Sequence, residues 1–312
     1  MISKEAFLKK VEQELFPLLK TKTGVRDQLK RKSNRNEAFW FVFVIAAMFF
    51  SVFVKLGFPF IYRVISFVVL LGIIGFYLWQ ERKMEREISK EKKFILNWCL
   101  KVLDFVPENS KINKYFVKKS KLLSTNLFAL EDEFVGRGKY AHFSVSELHF
   151  TEGKSKRDVL LLSVPMLHVN SRTILYNISF GKPFTFGFKK VLIPSIQDWD
   201  EKNIIVTKDE QEAQRLITPD FVQKLELVKE RFKKVALNVF DGDFFGAMEK
   251  DLISSKRIDV SFFENQALFA IYLDVDLFEL FDVDYIDGDS MPYEEFYSTI
   301  EAILKTVHLF ER

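Results

Sequence analysis

The sequence predicts an α+β protein: an N-terminal two-helix transmembrane hairpin followed by a cytosolic domain with a mainly antiparallel sheet and flanking helices. Three observations predict it. Two uncharged apolar runs, Ala38–Val54 and Val64–Gln80, stand on either side of a short connection containing Gly57 and Pro59. Basic residues crowd the outer ends of both runs and are sparse between them. Beyond Leu122, short runs rich in Phe, Val, Ile, Thr and Tyr follow one another too closely for the crossovers that parallel strands need. The expected divisions are 1–36, a cytosolic amphipathic helix and basic flank; 37–80, the membrane hairpin with spans about 38–57 and 60–80; and 81–312, a cytosolic α+β domain.

The first element runs from Ser3 to Lys20, where Phe7, Leu8, Val11, Leu15 and Leu18 recur at three- and four-residue steps. Pro17 is expected to bend or end this helix. Its polar face mixes signs, which suits docking on a protein domain better than lying on a membrane surface. The first apolar run, AFWFVFVIAAMFFSVFV, approaches the ~20 residues that cross a hydrocarbon core about 30 Å thick. Each strong apolar residue near mid-bilayer contributes roughly −0.3 to −0.6 kcal/mol, so insertion outweighs the boundary Lys55, which snorkels. Pro59 suits a tight turn, and VISFVVLLGIIGFYLWQ forms the second span. Gly72 and Gly75 accommodate the neighbouring helix of the hairpin. A cleaved signal peptide is disfavoured, because the residues before the first span include Glu5, Glu12, Glu14 and Asp27.

Orientation follows from charge. Lys20, Lys22, Arg26, Lys30, Arg31, Lys32 and Arg35 precede the first span, and Arg82, Lys83, Arg86, Lys90, Lys92 and Lys93 follow the second, against Lys55 and Arg63 between them. Positive residues favour the cytoplasmic face, so both termini are expected in the cytoplasm of a multi-pass protein of the cell (inner) membrane. Trp40, Tyr77 and Trp79 fall at that same boundary, as interfacial aromatics do. Lys30, Arg31, Lys32, Arg35, Arg82, Lys83 and Arg86 form a collar able to meet anionic lipid headgroups; the plainer reading is that the collar only sets topology.

After the second span, Glu81 to Leu103 starts charged and turns amphipathic at Phe94, Ile95, Trp98, Leu100 and Val102, a helix leading into the domain, with Cys99 as a core residue. KYAHFSVSELHF, DVLLLSVPMLHV, RTILYNISF, FTFGFKKVLI and NIIVT are five strands. Thr218-Pro219-Asp220 is an N-cap, a first-turn proline and a first-turn acid, opening a helix that buries Phe221, Val222, Leu225, Val228, Phe232 and Val235. Asp241-Gly242, between the apolar runs of ALNVFDGDFFGAM, is a hairpin signal. FFENQALFAIYLD reads as one more strand, and Met291 to Phe310 as a last helix with Phe296, Ile300, Ile303, Leu304 and Val307 inward.

The stretch Glu212-Ala213-Gln214-Arg215-Leu216-Ile217-Thr218-Pro219-Asp220-Phe221 resembles a motif, EAR-x-I-L-T-P-x-F in form, of a bacterial family of uncharacterised membrane proteins. Members of that family also look like this chain in element order over roughly residues 30 to 305: a membrane hairpin, a β-rich cytosolic region, the motif opening a helix, a hairpin and a final helix. Gln214 stands where the family usually has Arg. The resemblance implies fold and topology only, since no activity travels with it.

No motif carries a reaction. The net charge of +3 is too small for a nucleic-acid partner, and Cys99 with four histidines builds no zinc finger. No nucleophile, Walker or dinucleotide signature occurs, and no catalytic, cofactor or metal residue is assigned. Asp274, Asp276, Glu279, Asp282, Asp284, Asp287 and Asp289 crowd a region without Lys or Arg, yet an EF-hand frame from Asp282 puts Ile286 and Asp287 where a ligand and a glycine belong. An irregular cation site and an acidic solvated face both fit that region. His142 and His149, seven apart in one strand, fall on opposite faces. The expected partners are the lipid bilayer, anionic headgroups and a cytosolic protein that the sequence does not name. Homo-oligomerisation stays open, and transport would require it, since two spans without internal charge offer no pathway. Two functions remain: a membrane-anchored binding or scaffold domain, and a membrane-tethered enzyme or metal-dependent regulator using the acidic C-terminal region.

Overall fold

A computed structural model describes residues 1–21, Phe43, Val44, Met48, Ser51, Lys55, 59–107, 110–123, 127–152, 155–177, 187–196, Trp199, 203–240, 257–273, 277, 278 and 291–311. The chain divides into two compact units, one of residues 1–8, 96–280 and 290–312, the other built on residues 9–95. Its fold is α+β, with a large antiparallel sheet and flanking helices.

The first helical segment comprises α1 (Lys4–Lys10), a π-helical stretch (Val11–Leu15) and α2 (Phe16–Thr21). Of the two expected outcomes at Pro17, a bend or an end, the helix does not end there. The widened turn, in which the Phe16 N–H donates to the Val11 carbonyl, lies just ahead of the proline, where a tight α-turn would drive the ring into the carbonyl four residues back.

Helix α3 (Phe60–Val102) is unbroken, so the second apolar run and the expected separate helix 81–103 are one element. The segment ERKMEREISKEKK holds no Gly or Pro and consists mostly of good helix formers, so nothing in it stops propagation. Pro59 precedes the first turn, and its carbonyl accepts from the Tyr62 N–H at 3.0 Å. Ile61, Val64, Ile65, Phe67, Val68, Val69, Leu71, Phe76, Leu78 and Trp79 are all exposed. Among the described residues no helix is long and apolar enough to cross a membrane; that description leaves out the side chains of Phe60, Arg63, Ser66, Leu70 and Ile73. Most of the first apolar run lies outside the described residues, of which Phe43, Val44, Met48, Ser51 and Lys55 are helical.

The nine strands are β1 (Val106–Pro107), β2 (Phe128–Arg137), β3 (His142–Glu152), β4 (Ser155–Pro165), β5 (Thr173–Asn177), β6 (Lys189–Val191), β7 (Asn203–Thr207), β8 (Ile258–Phe263) and β9 (Gln266–Tyr272). They form one sheet in the order β1-β2-β3-β4-β9-β8-β5-β7-β6, with every pairing antiparallel. All five expected strands contribute to it. The segment read as one strand, FFENQALFAIYLD, instead holds the end of β8, the turn and the whole of β9. Glu264 and Asn265 both hold positive φ, at 51° and 58°, giving a two-residue turn without the glycine that usually marks it. In β2 the register shifts between Glu131 and Phe134, where Asp132 holds a φ of 49° in a β-bulge.

Both faces of the sheet centre are buried. One face carries Leu148, Val159, Leu161, Ile174, Val206, Leu268 and Ala270, which cluster with Val117 of α4 (Lys114–Ser120). The other carries Leu160, Leu162, Phe262 and Phe269, all buried. There Phe262 meets Phe221 at 5.3 Å between ring centroids, and Phe269 meets Phe310 at 4.6 Å. Those partners belong to α6 (Pro219–Phe240) and α7 (Met291–Phe310), which pack on each other; α5 (Glu210–Leu216) precedes α6. Burial on both sides explains the continuous apolar text of VLLLSV and ALFAIY, since neither face needs to be polar. The predicted stripe of α6 is buried in full. ALNVF, expected as a hairpin strand, forms the end of α6, while Asp241-Gly242 lies outside the described residues. Phe7 is also buried, against Phe296 and Tyr297 of α7 at 6.3 and 5.8 Å, so the N-terminal residues dock on the sheet unit as the mixed-sign face suggested.

The neighbours Phe262 and Phe263 point to opposite faces, and both are buried. Phe262→Ala and Phe263→Ala should each lower the unfolding free energy by about 3–5 kcal/mol in a denaturant titration. A sheet covered on one face only would spare one of the two.

Candidate functional site

Of the basic collar, Lys30, Arg31, Lys32 and Arg35 lie outside the described residues, whereas Arg82, Lys83 and Arg86 project from α3 into solvent. The helical repeat of 3.6 residues aligns them with Gly75, Leu78 and Trp79, and these six residues line one groove along the helix. The Lys83 ammonium sits 5.9 Å from the centre of the Trp79 ring. Trp79 itself is 59% exposed and stacks at 6.0 Å on Phe76. Among the described residues no carboxylate pairs with Arg82, Lys83 or Arg86, while Glu87 is engaged by Lys90 at 2.9 Å. The stripe is therefore apolar at one end and carries a cluster of three exposed cations at the other.

In the sheet unit, the Glu212–Phe221 stretch works as a clamp. Asp209 caps α5 by accepting from the Glu212 N–H at 3.2 Å. The Glu212 carboxylate is 5% exposed and accepts from the Asn170 N–H at 2.9 Å and from Arg215 at 2.7 and 3.0 Å. Arg215 also donates to the carbonyl of His168, a residue held at positive φ. From the opposite side, Asn265 in the β8–β9 turn accepts from the Met166 and Val169 N–H groups at 2.8 and 3.0 Å. The β4–β5 loop is thus fastened by α5 and by the neighbouring hairpin. Thr218 then caps α6, accepting from the Phe221 N–H at 3.2 Å, as its sequence position predicts.

A cavity of about 250 Å³ adjoins this clamp, with Leu216, Phe221 and Phe310 as its apolar floor and Arg215, Asp220 and Lys224 at its rim. Lys224 pairs with Asp220 at 2.8 Å, and Arg215 with Glu212, so the rim cations are already engaged within the protein. Glu212 and Thr218, read from the sequence as helix-entry residues, do that work here.

Other chemistry-bearing groups have structural partners. Cys99 is fully buried, which pushes its thiol far up, away from nucleophile character. His149 bonds Asp158 on the adjacent strand at 2.7 Å through Nδ1, and lies 3.9 Å from Glu131. His142 and His308 are exposed. A buried pair escaped sequence reasoning altogether. Arg257 donates to Asp259 at 2.8 Å, with the Asn177 N–H at 3.1 Å and the Tyr272 hydroxyl at 3.4 Å on the same carboxylate. Burial raises the Asp259 pKa, and the facing guanidinium opposes that rise. The alternation Arg-Ile-Asp ahead of an apolar strand was the available signal. Asp274, Asp276, Glu279, Asp282, Asp284, Asp287 and Asp289 lie outside the described residues, and among the described ones no three His, Cys, Asp or Glu side chains gather as metal ligands. Comparison with protein-family models, curated proteins and solved structures finds no match for this chain.

Hydrogen bonding from Arg215, seconded by the Asn170 N–H, holds the Glu212 carboxyl below its ordinary value. A lowered folded-state pKa means stability that is complete above the ordinary carboxylate range and lost as pH falls through the lowered value. Glu212→Ala should cost about 1–2 kcal/mol at neutral pH, because it removes charge-assisted hydrogen bonds from half-exposed donors, and less in acid. Urea titrations at the two pH values measure this; an equal cost at both would show that the ionised carboxylate is not what holds the loop.

Proposed function

We propose that the chain is a two-span protein of the cell inner membrane with both termini in the cytoplasm, its sheet unit serving as a membrane-anchored binding or scaffold domain. One observation carries the anchoring. The first turns of α3 expose Ile61, Val64, Phe67, Val68, Leu71, Phe76 and Leu78 on several sides of the helix, not along one stripe. A helix apolar all round belongs in the interior of a large core or in a bilayer. The uncharged run Val64–Gln80 spans about 26 Å as a helix, close to the hydrocarbon thickness, and ends at Trp79 with Arg82, Lys83 and Arg86 just beyond. Helical Phe43, Val44, Met48, Ser51 and Lys55 are consistent with a first span, and Pro59 starts the returning helix.

Support for the binding or scaffold role comes from how the sheet unit spends its charge: Glu212 is engaged by Arg215 and the Asn170 N–H, Lys224 by Asp220, and Asp259 by Arg257. This pattern suits a rigid presenting surface. The order of elements also accords with the bacterial membrane-protein family that the Glu212–Phe221 stretch resembles. Reporter fusions at positions 1, 58 and 312 test the topology. Positions 1 and 312 should report the cytoplasm and 58 the opposite side. A fusion at 312 that is active on the outer side would overturn the orientation and, with it, the cytosolic role.

A further inference from the structure

The groove on α3 has a more specific use than setting topology. Its six residues sit at spacings of three and four along about three turns of helix, grading from Gly75 and Leu78 through Trp79 to Arg82, Lys83 and Arg86. At the apolar end, a Cβ added at Gly75 would meet nothing within 4 Å among the described residues. At the basic end, three cations gather within one and a half turns, and among the described residues none of them forms an ion pair. Glu87, a described acid on the same helix, pairs with Lys90 at 2.9 Å. Between the two ends stands an exposed indole, the side chain that favours the headgroup level of a bilayer.

We infer that this groove is a binding site for one anionic phospholipid, with an acyl chain along Gly75 and Leu78, the glycerol region against Trp79, and the phosphate held by Arg82, Lys83 and Arg86. The match is one of charge and polarity together. A zwitterionic lipid would bring its own cation to a cluster that already holds three, whereas an anionic headgroup supplies the charge that the cluster lacks. Arg82 and Arg86, one turn apart, can share a phosphate, for which guanidinium groups offer several donors in a fixed geometry. Lys83, already beside the indole ring, adds a point charge at the aromatic boundary.

The inference rests on the membrane reading, and one experiment separates the two. The chain has four tryptophans, so Trp40→Phe, Trp98→Phe and Trp199→Phe leave Trp79 as the only one in the full-length protein. Reconstituted into vesicles of a zwitterionic lipid, the protein is titrated with acyl-brominated phosphatidylglycerol or, separately, acyl-brominated phosphatidylcholine. Trp79 should be quenched by both, with an apparent preference for the anionic lipid of at least about five-fold. Arg82→Gln with Lys83→Gln and Arg86→Gln should abolish the preference without abolishing quenching. Arg82→Lys with Arg86→Lys, which keeps the charge, should retain most of it. Equal quenching by both lipids in the unsubstituted groove overturns the lipid site and leaves the anchor standing. No quenching by either lipid overturns the anchor itself.

Discussion

Water is a poor solvent for the first turns of α3, and the proposed anchoring depends on that constraint. A soluble helix hides its apolar residues on one side, as α6 does with Phe221, Leu225, Val228 and Phe232. Between Ile61 and Trp79 the described apolar residues are exposed over more than half of the helix circumference, far wider than a single stripe. At about 25 cal/mol for each square ångström of apolar surface, leaving so many large side chains in water would offset much of the stability of an ordinary domain. A bilayer removes the difficulty without any further contact. The same helix then turns polar at Glu81 without a break, so on the proposed reading one continuous helix passes from lipid into water where its text changes.

The sheet unit answers the same problem by another route. Its central strands β4, β9 and β8 are apolar on both faces, and helices α6 and α7 cover one while α4 and its cluster cover the other. Polar groups that enter this interior arrive paired, as Arg257 does with Asp259 and Thr173 with Thr207 at 2.9 Å. Such pairs are costly to break because either partner alone would be left buried and unsatisfied. The loop after β4 is fastened in the same manner by Glu212, Arg215 and Asn265, so the resemblance motif is explained by the loop it secures. Its charged side chains are spent on the protein itself.

What could be read from the sequence depended on how local each signal was. The entry to α6 was legible because Thr218, Pro219 and Asp220 each act within one turn, and α7 because its stripe repeats over five turns. The five expected strands carried enough β-branched and aromatic residues between turn signals to stand out. The β8–β9 hairpin was not legible, since its turn uses Glu264 and Asn265 at positive φ in place of glycine, and Arg257 to Phe263 carries no breaker after it. ALNVF was misread because the Asp-Gly pair beyond it is a turn signal in sequence, while the α6 stripe continues past Val235 to buried Ala236. Strand β2 passed unnoticed because Glu131, Asp132 and Glu133 interrupt its apolar alternation, and the bulge that accommodates them is a property of pairing with β3. The clamp at the β4–β5 loop joins residues from three separate stretches of chain. Spacing within any one of them could show only helix capping.

Hydrogen–deuterium exchange along α3, with the full chain in lipid nanodiscs, tests the central claim most directly. Bilayer-embedded backbone has no water to exchange with, so amides from Val64 to Gln80 should remain protected for hours, and those from Arg82 to Lys93 should exchange far sooner, with the step falling near Trp79. Uniform exchange from Val64 to Lys93, with no step, would contradict a helix that passes from lipid into water.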